Sequence, residues 1–329
     1  MATTVVGAIG TGHSEGMNDY DVAIVGGGAA GLSAALVLSR ARRLVAVVDA
    51  GEPRNAPAAH MQGFLGSDGM PPRELLAAGR REVSDYGGHL ISGLATRIER
   101  PGSEDGNRLF EVVVDDGPPL RARRLIVTTG LRDELPDIQG VRQRWGRDVL
   151  HCPYCHGHEV RDQPLGVLGG SSEAVAHAHL VGQWSHDVVY FSHGRAPTAE
   201  QREQFAARDI RVVDAAVTRL VVECDRLTGV ELETGQVVPR SAVFVRPRFV
   251  PNDALLAGLG CTTDEAGWVR VDGSGRTSVP GVWAAGNAVN PRAQVITAAG
   301  EGSAAAIAVN NDLVEEDVRV ALARSHVPS

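Results

Sequence analysis

The first part of the chain contains apolar runs, which are typical of buried strands, and stretches of mixed apolar and polar residues, which are typical of amphipathic helices. A mostly apolar run over Tyr20–Val25 predicts a buried strand, and Leu44–Val48 predicts a second one. Between these runs, an Ala- and Leu-rich stretch predicts a helix that ends near Arg40. The next predicted elements are a helix over 72–86 and strands over 95–99, 110–114, 120–124 and 125–128.

The order of strand, helix and strand returns in the middle of the chain. Leu165–Leu168 predicts a buried strand, the following helix is expected to end near Gln183, and Asp187–Ser192 predicts the next strand. Strands alternating with helices in this way predict an α/β fold. The later predicted elements are strands over 217–223, 230–233, 237–245, 268–272 and 279–287, a linker over 246–251 and a helix over 294–312.

The first two strands flank a glycine-rich turn, which is Gly26-Gly27-Gly28-Ala29-Ala30-Gly31. In the dinucleotide-binding pattern, the first glycine permits a tight turn, the second lets the backbone approach a pyrophosphate, and the third lets the helix pack on the strand. The unpaired N–H groups at the start of the helix face the phosphates. Asp49 ends the second strand and is placed to bond a ribose hydroxyl. We call Tyr20–Asp49 the first dinucleotide unit.

The second turn, in Leu165–Arg195 (the second dinucleotide unit), is a weakened copy of the first. Gly169 is kept, but Ser171 occupies the second glycine position and Ala174 the third. No acid ends the strand after the helix, and only Arg195, with His193 nearby, could meet a 2′-phosphate. The chain therefore predicts two Rossmann-like dinucleotide-binding domains, the second with NADP(H) bound weakly or not at all.

Composition excludes several partners. The chain has 329 residues and a net charge of −8, which disfavours nucleic acid and anionic membranes as partners. No apolar run is long enough to cross a bilayer. Residues 1–19 are rich in Gly, Thr and Ser and carry no export signal, so a disordered lead-in and a cytoplasmic location are expected.

The strongest chemical signal is the stretch His151-Cys152-Pro153-Tyr154-Cys155-His156-Gly157-His158-Glu159. Two cysteines separated by two residues indicate a redox dithiol, half of a zinc site or a haem attachment site. A zinc site needs further convergent ligands that the chain does not supply, and haem attachment belongs to exported proteins. We therefore expect a redox pair and no metal.

A long polar loop follows Asp49 and extends to Phe64. Loops of this length in compact domains usually serve a function. Arg54, Asn55 and His60 in this loop are candidates for lining a cofactor.

In combination, these features resemble the low-molecular-weight thioredoxin reductases. The resemblance rests on the two dinucleotide units, the CxxC pair between their turns, and the segment Gly281-Val282-Trp283-Ala284-Ala285-Gly286-Asn287. It implies an FAD-binding domain built from residues 20–131 and 247–329, with an NAD(P)-binding-like domain, 132–246, inserted and carrying the CxxC. It also implies FAD as cofactor and a homodimer.

The resemblance carries roles over to particular residues. Cys152 and Cys155 match the redox pair, with Cys155 expected beside the flavin and Cys152 facing the substrate. The positions matching cofactor contacts are Gly26, Gly28, Gly31 and Asp49 at the adenosine and pyrophosphate, Thr129 and Gly130 in a second FAD motif, Gly286 and Asn287 at the ribityl chain, and Gln294 and Val295 at the flavin ring.

Three departures from the family pattern concern the direction of electron flow. His156 replaces the usual Asp after the second cysteine, Ser171 replaces a glycine, and the arginine pair for a 2′-phosphate is missing. The CPYCH sequence looks more like the flavin-dependent dithiol oxidases, with His156 as the candidate general base. We therefore favour oxidation of a small-molecule dithiol through FAD to oxygen or NADP.

Two alternatives stay open beside that function. One is reduction of a disulfide substrate or a thioredoxin-like protein at the expense of NADPH or another donor, since thiol–disulfide exchange is reversible. The other is a catalytically silent flavoprotein that acts as a sensor or scaffold.

Overall fold

The computed structural model describes residues 18–100, 109–115 and 117–325. The predicted lead-in therefore lies outside the described residues except at its end. Asn18 and Asp19 already belong to the first strand, where they pair with Leu120 and Arg121 of a parallel neighbour. The Asp19 carboxylate also accepts two hydrogen bonds from the Arg121 guanidinium. These contacts correct the predicted boundary at residue 19.

Helices and strands alternate through most of the described chain. The first elements are β1 (Asn18–Val25), α1 (Ala29–Arg40), β2 (Val45–Asp49), α2 (Pro72–Asp85), β3 (His89–Ser92), β4 (Ala95–Glu99), β5 (Phe110–Val114) and β6 (Leu120–Val127). The next are β7 (Leu131–Glu134), α3 (Val141–Arg144), β8 (Val149–Leu150), α4 (Pro153–His156), β9 (Leu165–Leu168), α5 (Ala174–Val181), β10 (Val188–Phe191), α6 (Ala199–Ala206), β11 (Arg211–Val213), β12 (Val217–Glu223), β13 (Arg226–Leu232), β14 (Val237–Pro239) and β15 (Ala242–Phe244). The last are β16 (Arg248–Pro251), α7 (Ala254–Gly258), β17 (Val282–Ala284), a 3₁₀ turn (Gly286–Ala288) and α8 (Val295–Ser325).

The first sheet combines strands from both ends of the chain. Its order is β3-β2-β1-β6-β5-β4, and β17 pairs in parallel with β6. Helices α1 and α8 pack together against one face of this sheet in a shared apolar core. A Cβ on Gly302 would lie 2.0 Å from the carbonyl oxygen of Ala30, so the two helices touch at their backbones. This contact brings the C-terminal helix to the first glycine-rich turn.

The second sheet is parallel and has the order β11-β10-β9-β15-β8. An antiparallel meander of β12, β13 and β14 packs beside it through a common apolar cluster. Strand β7 carries the chain from the first sheet towards the second, and β16 carries it back. The two strands pair as an antiparallel ribbon. The predicted α/β class with two Rossmann-like units is confirmed.

The prediction of strands is wrong in three segments. The two strands predicted over 120–128 are the single strand β6, which pairs continuously with β1. The strand predicted over 237–245 is interrupted after Pro239, and its halves join different sheets, because proline lacks a ladder N–H. The predicted linker over 246–251 contains β16, whose partner β7 lies more than a hundred residues earlier and leaves no local signal.

Two predictions near the C-terminus also need correction. The segment 268–272 is not a strand, because only Val269 forms a bridge, to Thr263. Helix α8 continues to Ser325 instead of ending near 312. Beyond that point, Glu316 and Asp317 form ion pairs with arginines of the first sheet and the α1–β2 loop, which hold the added turns in place. Within the described ranges, no helix is both long and apolar enough to cross a membrane.

Candidate redox and cofactor sites

In the first glycine-rich turn, packing and backbone conformation require Gly26 and Gly31 but not Gly28. A Cβ on Gly31 would lie 1.8 Å from the carbonyl oxygen of Gly26, and Gly26 itself has a φ of +105°. A Cβ on Gly28 would have no protein atom within 4 Å. Gly28 therefore leaves room beside the start of α1, which includes Ala29 and Ala30 and where the pattern places a pyrophosphate.

Asp49 lies at the end of β2 beside this turn. Its Oδ1 accepts a hydrogen bond from the Gly27 N–H at 3.1 Å, and its Oδ2 pairs with Arg80 of α2 at 2.6 Å. A carboxylate has further lone pairs, so a ribose hydroxyl can still be accepted. A cavity of about 320 Å³ opens here between Asp49, Gly51 and Ser92. The sequence analysis did not identify Arg80, because it lies on a helix with no distinctive motif.

Thr128 contacts the glycine-rich turn, and its neighbour Thr129 makes a different hydrogen bond. The Thr128 hydroxyl lies within hydrogen-bond distance of the carbonyl oxygens of Val25 and Gly26, at 3.0 and 2.8 Å. The Thr129 hydroxyl donates instead to the carbonyl oxygen of Asn252. Gly130 adopts a φ of +71°, and nothing lies within 4 Å of its Cβ position.

The C-terminal segment lies next to the first turn. A Cβ on Gly286 would lie 3.0 Å from the Cβ of Ala30. The Gly286 N–H donates to Glu301 of α8 at 2.9 Å, a contact that sequence reasoning missed. Gln294 and Val295 stand at the start of α8 and are half-buried.

The Asn287 side chain is held by three bonds within the protein. Its amide nitrogen donates to the carbonyl oxygens of Asn290 and Ala293 at 2.9 and 3.0 Å. Its oxygen accepts from Arg54 at 3.2 Å. Both amide protons are therefore used, and only the oxygen retains a free lone pair for a cofactor hydroxyl.

The three candidates from the long loop have different surroundings. Arg54 is half-buried and reaches the C-terminal segment, as described above. Asn55 is half-buried, and its carbonyl oxygen accepts from Ala58 within the loop. His60 is exposed, and its Nδ1 donates to the carbonyl oxygen of Gly69, which lies between this loop and α2.

The first turn and the segments around it fit FAD. Gly28 leaves space for a close backbone approach, Asp49 retains acceptor capacity, and a cavity adjoins both. The C-terminal segment adds Gly286 and Asn287 on the same side of the sheet. Within the described residues, these groups would hold the adenosine, pyrophosphate and ribityl parts.

The second glycine-rich turn keeps its fold but changes its charge. A Cβ on Gly169 would lie 2.6 Å from the carbonyl oxygen of Phe191, so packing requires this glycine. Glu173 immediately precedes α5 and follows Ser171 and Ser172, and its side chain makes no capping hydrogen bond. The Ser172 hydroxyl lowers the pKa of Glu173 most strongly, helped by the Glu173 backbone N–H and by the positive charge of Arg246. A negative charge therefore stands where this pattern would place a pyrophosphate.

Two side chains are predicted to bind a 2′-phosphate, and one of them is already hydrogen-bonded within the protein. His193 Nδ1 accepts a hydrogen bond from the Val217 N–H at 3.0 Å. This bond ties the ring to the meander and leaves Arg195, which is exposed, as the cation of the pair. Of the two predicted groups, Arg195 is thus the one left to meet a 2′-phosphate.

Cys152 and Cys155 form a disulfide at the start of a single helical turn. Their Cα atoms are 5.2 Å apart, and both residues are half-buried. The N–H groups of Cys155 and His156 both donate to the Cys152 carbonyl oxygen at 3.1 Å. Between the cysteines, Tyr154 is 65% exposed and contacts Trp184 edge to face at 5.7 Å between ring centroids. The redox pair is therefore accessible from solvent beside an aromatic pair.

His156 and His158 differ in environment. His156 is half-buried, and burial lowers the pKa of its imidazole despite the opposing effect of Glu159. The neutral form, which can accept a proton, therefore persists to lower pH than for a free histidine. His158 is exposed, and its carbonyl oxygen accepts from Arg161.

A second histidine pair lies behind the disulfide. His177 of α5 is buried, and its Nε2 donates to the His151 carbonyl oxygen at 2.9 Å. Burial lowers the pKa of His177 to about 3 and that of His151 to about 4. Both are therefore neutral at physiological pH. Sequence reasoning passed over His177 because a single histidine in a helix carries no signal of its own.

In the part of the chain that the structure describes, no three His, Cys, Asp or Glu side chains converge as metal ligands would.

Comparison with known proteins identifies similar chains. The sequence model of the pyridine nucleotide-disulphide oxidoreductase family matches residues 20–302. Thioredoxin reductase sirT of Leptosphaeria maculans is 30% identical over 322 residues, covering 91% of this chain and 96% of the relative. The crystal structure of HlmI superposes with a TM-score of 0.90 at 56% identity and covers 97% of this chain and 100% of that one. Thioredoxin reductase from Streptococcus pyogenes MGAS5005 gives a TM-score of 0.81 at 27% identity, with 92% and 100% covered.

Proposed function

This chain belongs to the pyridine nucleotide-disulphide oxidoreductase family as an FAD-dependent disulfide oxidoreductase of the thioredoxin reductase type, and we propose that it oxidises a small-molecule dithiol. In this proposal Cys152 and Cys155 are the redox pair, and FAD is the cofactor of the first unit. When bound, FAD supplies a two-electron acceptor that can pass electrons to oxygen or NADP⁺.

The observation that carries the proposed direction is the charge at the second turn. Glu173 holds a carboxylate at the start of α5, and Ser171 replaces the glycine that would admit a pyrophosphate. His193 is bonded to the meander, so Arg195 is the cation left near a 2′-phosphate position. These features disfavour binding of NADP(H), whether as electron donor or as electron acceptor, and so favour a thiol as the electron source and oxygen as the acceptor.

The thiol step is an exchange in which bonds and electrons balance. One substrate thiolate attacks the Cys152 sulfur, which breaks the Cys152–Cys155 bond and releases Cys155 as a thiolate. The second substrate thiolate then attacks the substrate sulfur of the mixed disulfide and releases Cys152. The substrate leaves as a disulfide, and the cysteine pair has gained two electrons.

His156 is proposed as the base that generates the substrate thiolate. Its half-buried ring is adjacent in sequence to Cys155, and burial keeps the imidazole neutral by lowering its pKa. Because free thiols have pKa values near 8.5, a base is needed most at neutral and acidic pH. The proton from the substrate thiol would be taken up by the free imidazole nitrogen.

The substrate is proposed to be small because the disulfide lies beside two aromatic side chains. Tyr154 is exposed between the cysteines, and Trp184 packs against it. Aromatic surfaces of this kind bind flat or apolar small molecules with little loss of side-chain entropy.

A second candidate function is reduction of a protein disulfide, such as that of a thioredoxin-like partner. The matched relatives include chains named thioredoxin reductase. The same cysteine pair would serve it with electron flow reversed. A third candidate, a silent flavoprotein sensor or scaffold, leaves the accessible disulfide without a role.

The domain limits and the homodimer stay proposals. We take 18–131 with 247–329 as the FAD-binding domain and 132–246 as the inserted domain, joined by the β7–β16 ribbon. A homodimer is supported by an exposed apolar row on α8, formed by Ile307, Val314, Val318 and Leu322. A cytoplasmic location is a prediction from the sequence.

Oxygen uptake with dithiothreitol as the probe tests the proposed function. The FAD-loaded wild type is expected to consume oxygen and form cyclic dithiothreitol disulfide, while Cys152→Ser and Cys155→Ser lose this activity. Cys224→Ser is the matched control, because Cys224 is an exposed free cysteine outside the proposed site. Uptake that survives in both active-pair variants would contradict the proposal.

A further inference from the structure

Arg54 joins the C-terminal segment of the first sheet to the β7–β16 ribbon. Its Nε and Nη2 donate to the two carboxylate oxygens of Asp133 at 2.8 and 2.7 Å. Its Nη1 donates to Asn287 at 3.2 Å, and its guanidinium carbon lies 5.0 Å from the centre of the Phe249 ring. Asp133 and Phe249 are directly opposite each other in the ribbon. Arg54 therefore holds both strands of the ribbon at one point.

The contacts continue from the ribbon to the redox pair. The Phe249 ring meets the His151 ring edge to face, with 5.0 Å between centroids. The His151 Nδ1 donates to the Val245 carbonyl oxygen at 3.2 Å, and the His177 Nε2 donates to the His151 carbonyl oxygen. His151 immediately precedes Cys152. We call Arg54, Asp133, Asn287, Phe249 and His151 the Arg54 cluster.

We propose that Arg54 is a positioning residue that fixes the Cys152–Cys155 pair relative to the first dinucleotide unit. This inference rests on the proposed role of the two cysteines as the redox pair. The second sheet is attached through the two-stranded ribbon, which by itself allows bending. The Arg54 cluster adds contacts at that ribbon and so restricts the placement of the segment that carries the disulfide.

The chemistry of the cluster requires arginine. The Asp133 side chain is only 8% exposed, so its carboxylate needs a cation that satisfies both oxygens. A planar guanidinium can bond both oxygens, reach Asn287 and stack on Phe249 at once. Lysine would keep the charge but lose the fork and the stacking. Arg54→Lys is therefore a milder variant than Arg54→Ala, in which a buried carboxylate is left unpaired.

Hydrogen exchange of the FAD-loaded protein gives a readout that does not depend on turnover. In Arg54→Ala, exchange of the Cys155 and His156 amides is expected to quicken about tenfold, with a smaller increase in Arg54→Lys. These amides both donate to Cys152 in the native turn. Exchange at the wild-type rate in both variants would overturn the proposal.

Arg276 provides the matched control. It pairs with Asp312, and its guanidinium carbon lies 5.0 Å from the Trp283 ring centre, so it repeats the ion pair and stacking of Arg54. These contacts involve α8 and β17 of the first sheet, away from the ribbon. Arg276→Ala is expected to lower thermal stability while leaving exchange at Cys155 and His156 unchanged. An equal increase in exchange in Arg276→Ala would mean that the effect is general destabilisation.

Reduction of FAD-loaded protein by dithiothreitol completes the test. Arg54→Ala is expected to keep its flavin while the maximal rate of flavin reduction falls about tenfold at an unchanged half-saturating dithiol concentration. Loss of flavin with normal hydrogen exchange would instead make Arg54 a cofactor ligand and overturn the inference. If the wild type is not reduced by any dithiol, the proposed function fails, and the exchange comparison still decides whether Arg54 positions the pair.

Discussion

The two glycine-rich turns keep the glycines that their own packing requires. In the first, a Cβ on Gly31 would lie 1.8 Å from a carbonyl oxygen. In the second, a Cβ on Gly169 would lie 2.6 Å from the Phe191 carbonyl oxygen. Neither position can accept a side chain without movement of the backbone. Retention of these glycines is therefore explained by the fold and says nothing about a ligand.

The two turns differ at the middle glycine position of the pattern. Gly28 is not required by packing, because its Cβ would have no protein atom within 4 Å. A glycine at this position allows the backbone to approach a ligand closely. The corresponding residue of the second turn is Ser171, followed closely by the Glu173 carboxylate. The comparison supports the proposal that the first turn binds a dinucleotide more readily than the second.

Substitution at the middle position gives the largest expected effect. Gly28→Val should fold, because space is free there, but its affinity for FAD should fall about 100-fold, or about 2.7 kcal/mol. The ratio of flavin absorbance to protein absorbance after gel filtration measures this loss. Ser171→Val is the matched variant and should keep both its flavin and its dithiol turnover within about twofold. Equal losses in the two variants would remove the distinction between the turns.

Restoring nucleotide contacts to the second turn should produce a smaller effect. A double variant, Ser171→Gly with Glu173→Thr, removes a side chain and a negative charge from the place of a pyrophosphate. Reduction of the flavin by NADPH is expected to become about tenfold faster, equivalent to about 1.4 kcal/mol. Glu200→Thr, which removes an exposed acid from the neighbouring α6, should leave that rate unchanged. No gain in the double variant would show that other features prevent NADPH use.

The proposed base gives an effect that depends on pH. His156→Ala should slow dithiol-driven flavin reduction about tenfold at pH 6 and about twofold at pH 9, where thiols ionise without help. The lowered pKa of His156 keeps its imidazole neutral and able to accept a proton at pH 6. His158→Ala, which changes an exposed neighbour, serves as the control. Equal slowing at both pH values would exclude His156 as the base.

The last effect concerns the stability of the second unit and not the reaction. Burial lowers the pKa of His177 to about 3, below the unfolded value, so the unfolded chain binds more protons between these values. Stability should therefore fall as pH decreases through that window, by about 1.4 kcal/mol per pH unit for this residue. His177→Leu should flatten the urea-derived stability curve by that amount between pH 4 and pH 6. Parallel curves for the two proteins would contradict the buried neutral state.

The sequence predicted features whose signals are local. The glycine pattern around Gly26, the CxxC pair and the strand at Phe110–Val114 are each contained within a few neighbouring residues. The Thr198 capping box at the start of α6 was also local and could have predicted that helix.

The remaining features depend on residues far apart in the chain. The Arg54–Asp133 pair spans 79 residues, and β16 becomes a strand only because β7 lies beside it. Arg80 reaches Asp49 from a different element. No period or motif marks such partners in a single sequence, because their identity is set by tertiary packing.

Anaerobic stopped-flow mixing of the FAD-loaded protein with either dithiothreitol or NADPH tests the proposed direction of electron flow most directly. The oxidised flavin absorbance is expected to disappear rapidly with the dithiol and to persist with micromolar NADPH. Cys152→Ser should lose the response to the dithiol. Rapid loss of the absorbance with NADPH, followed by reduction of added thioredoxin, would contradict the proposed oxidase direction and establish the reductase.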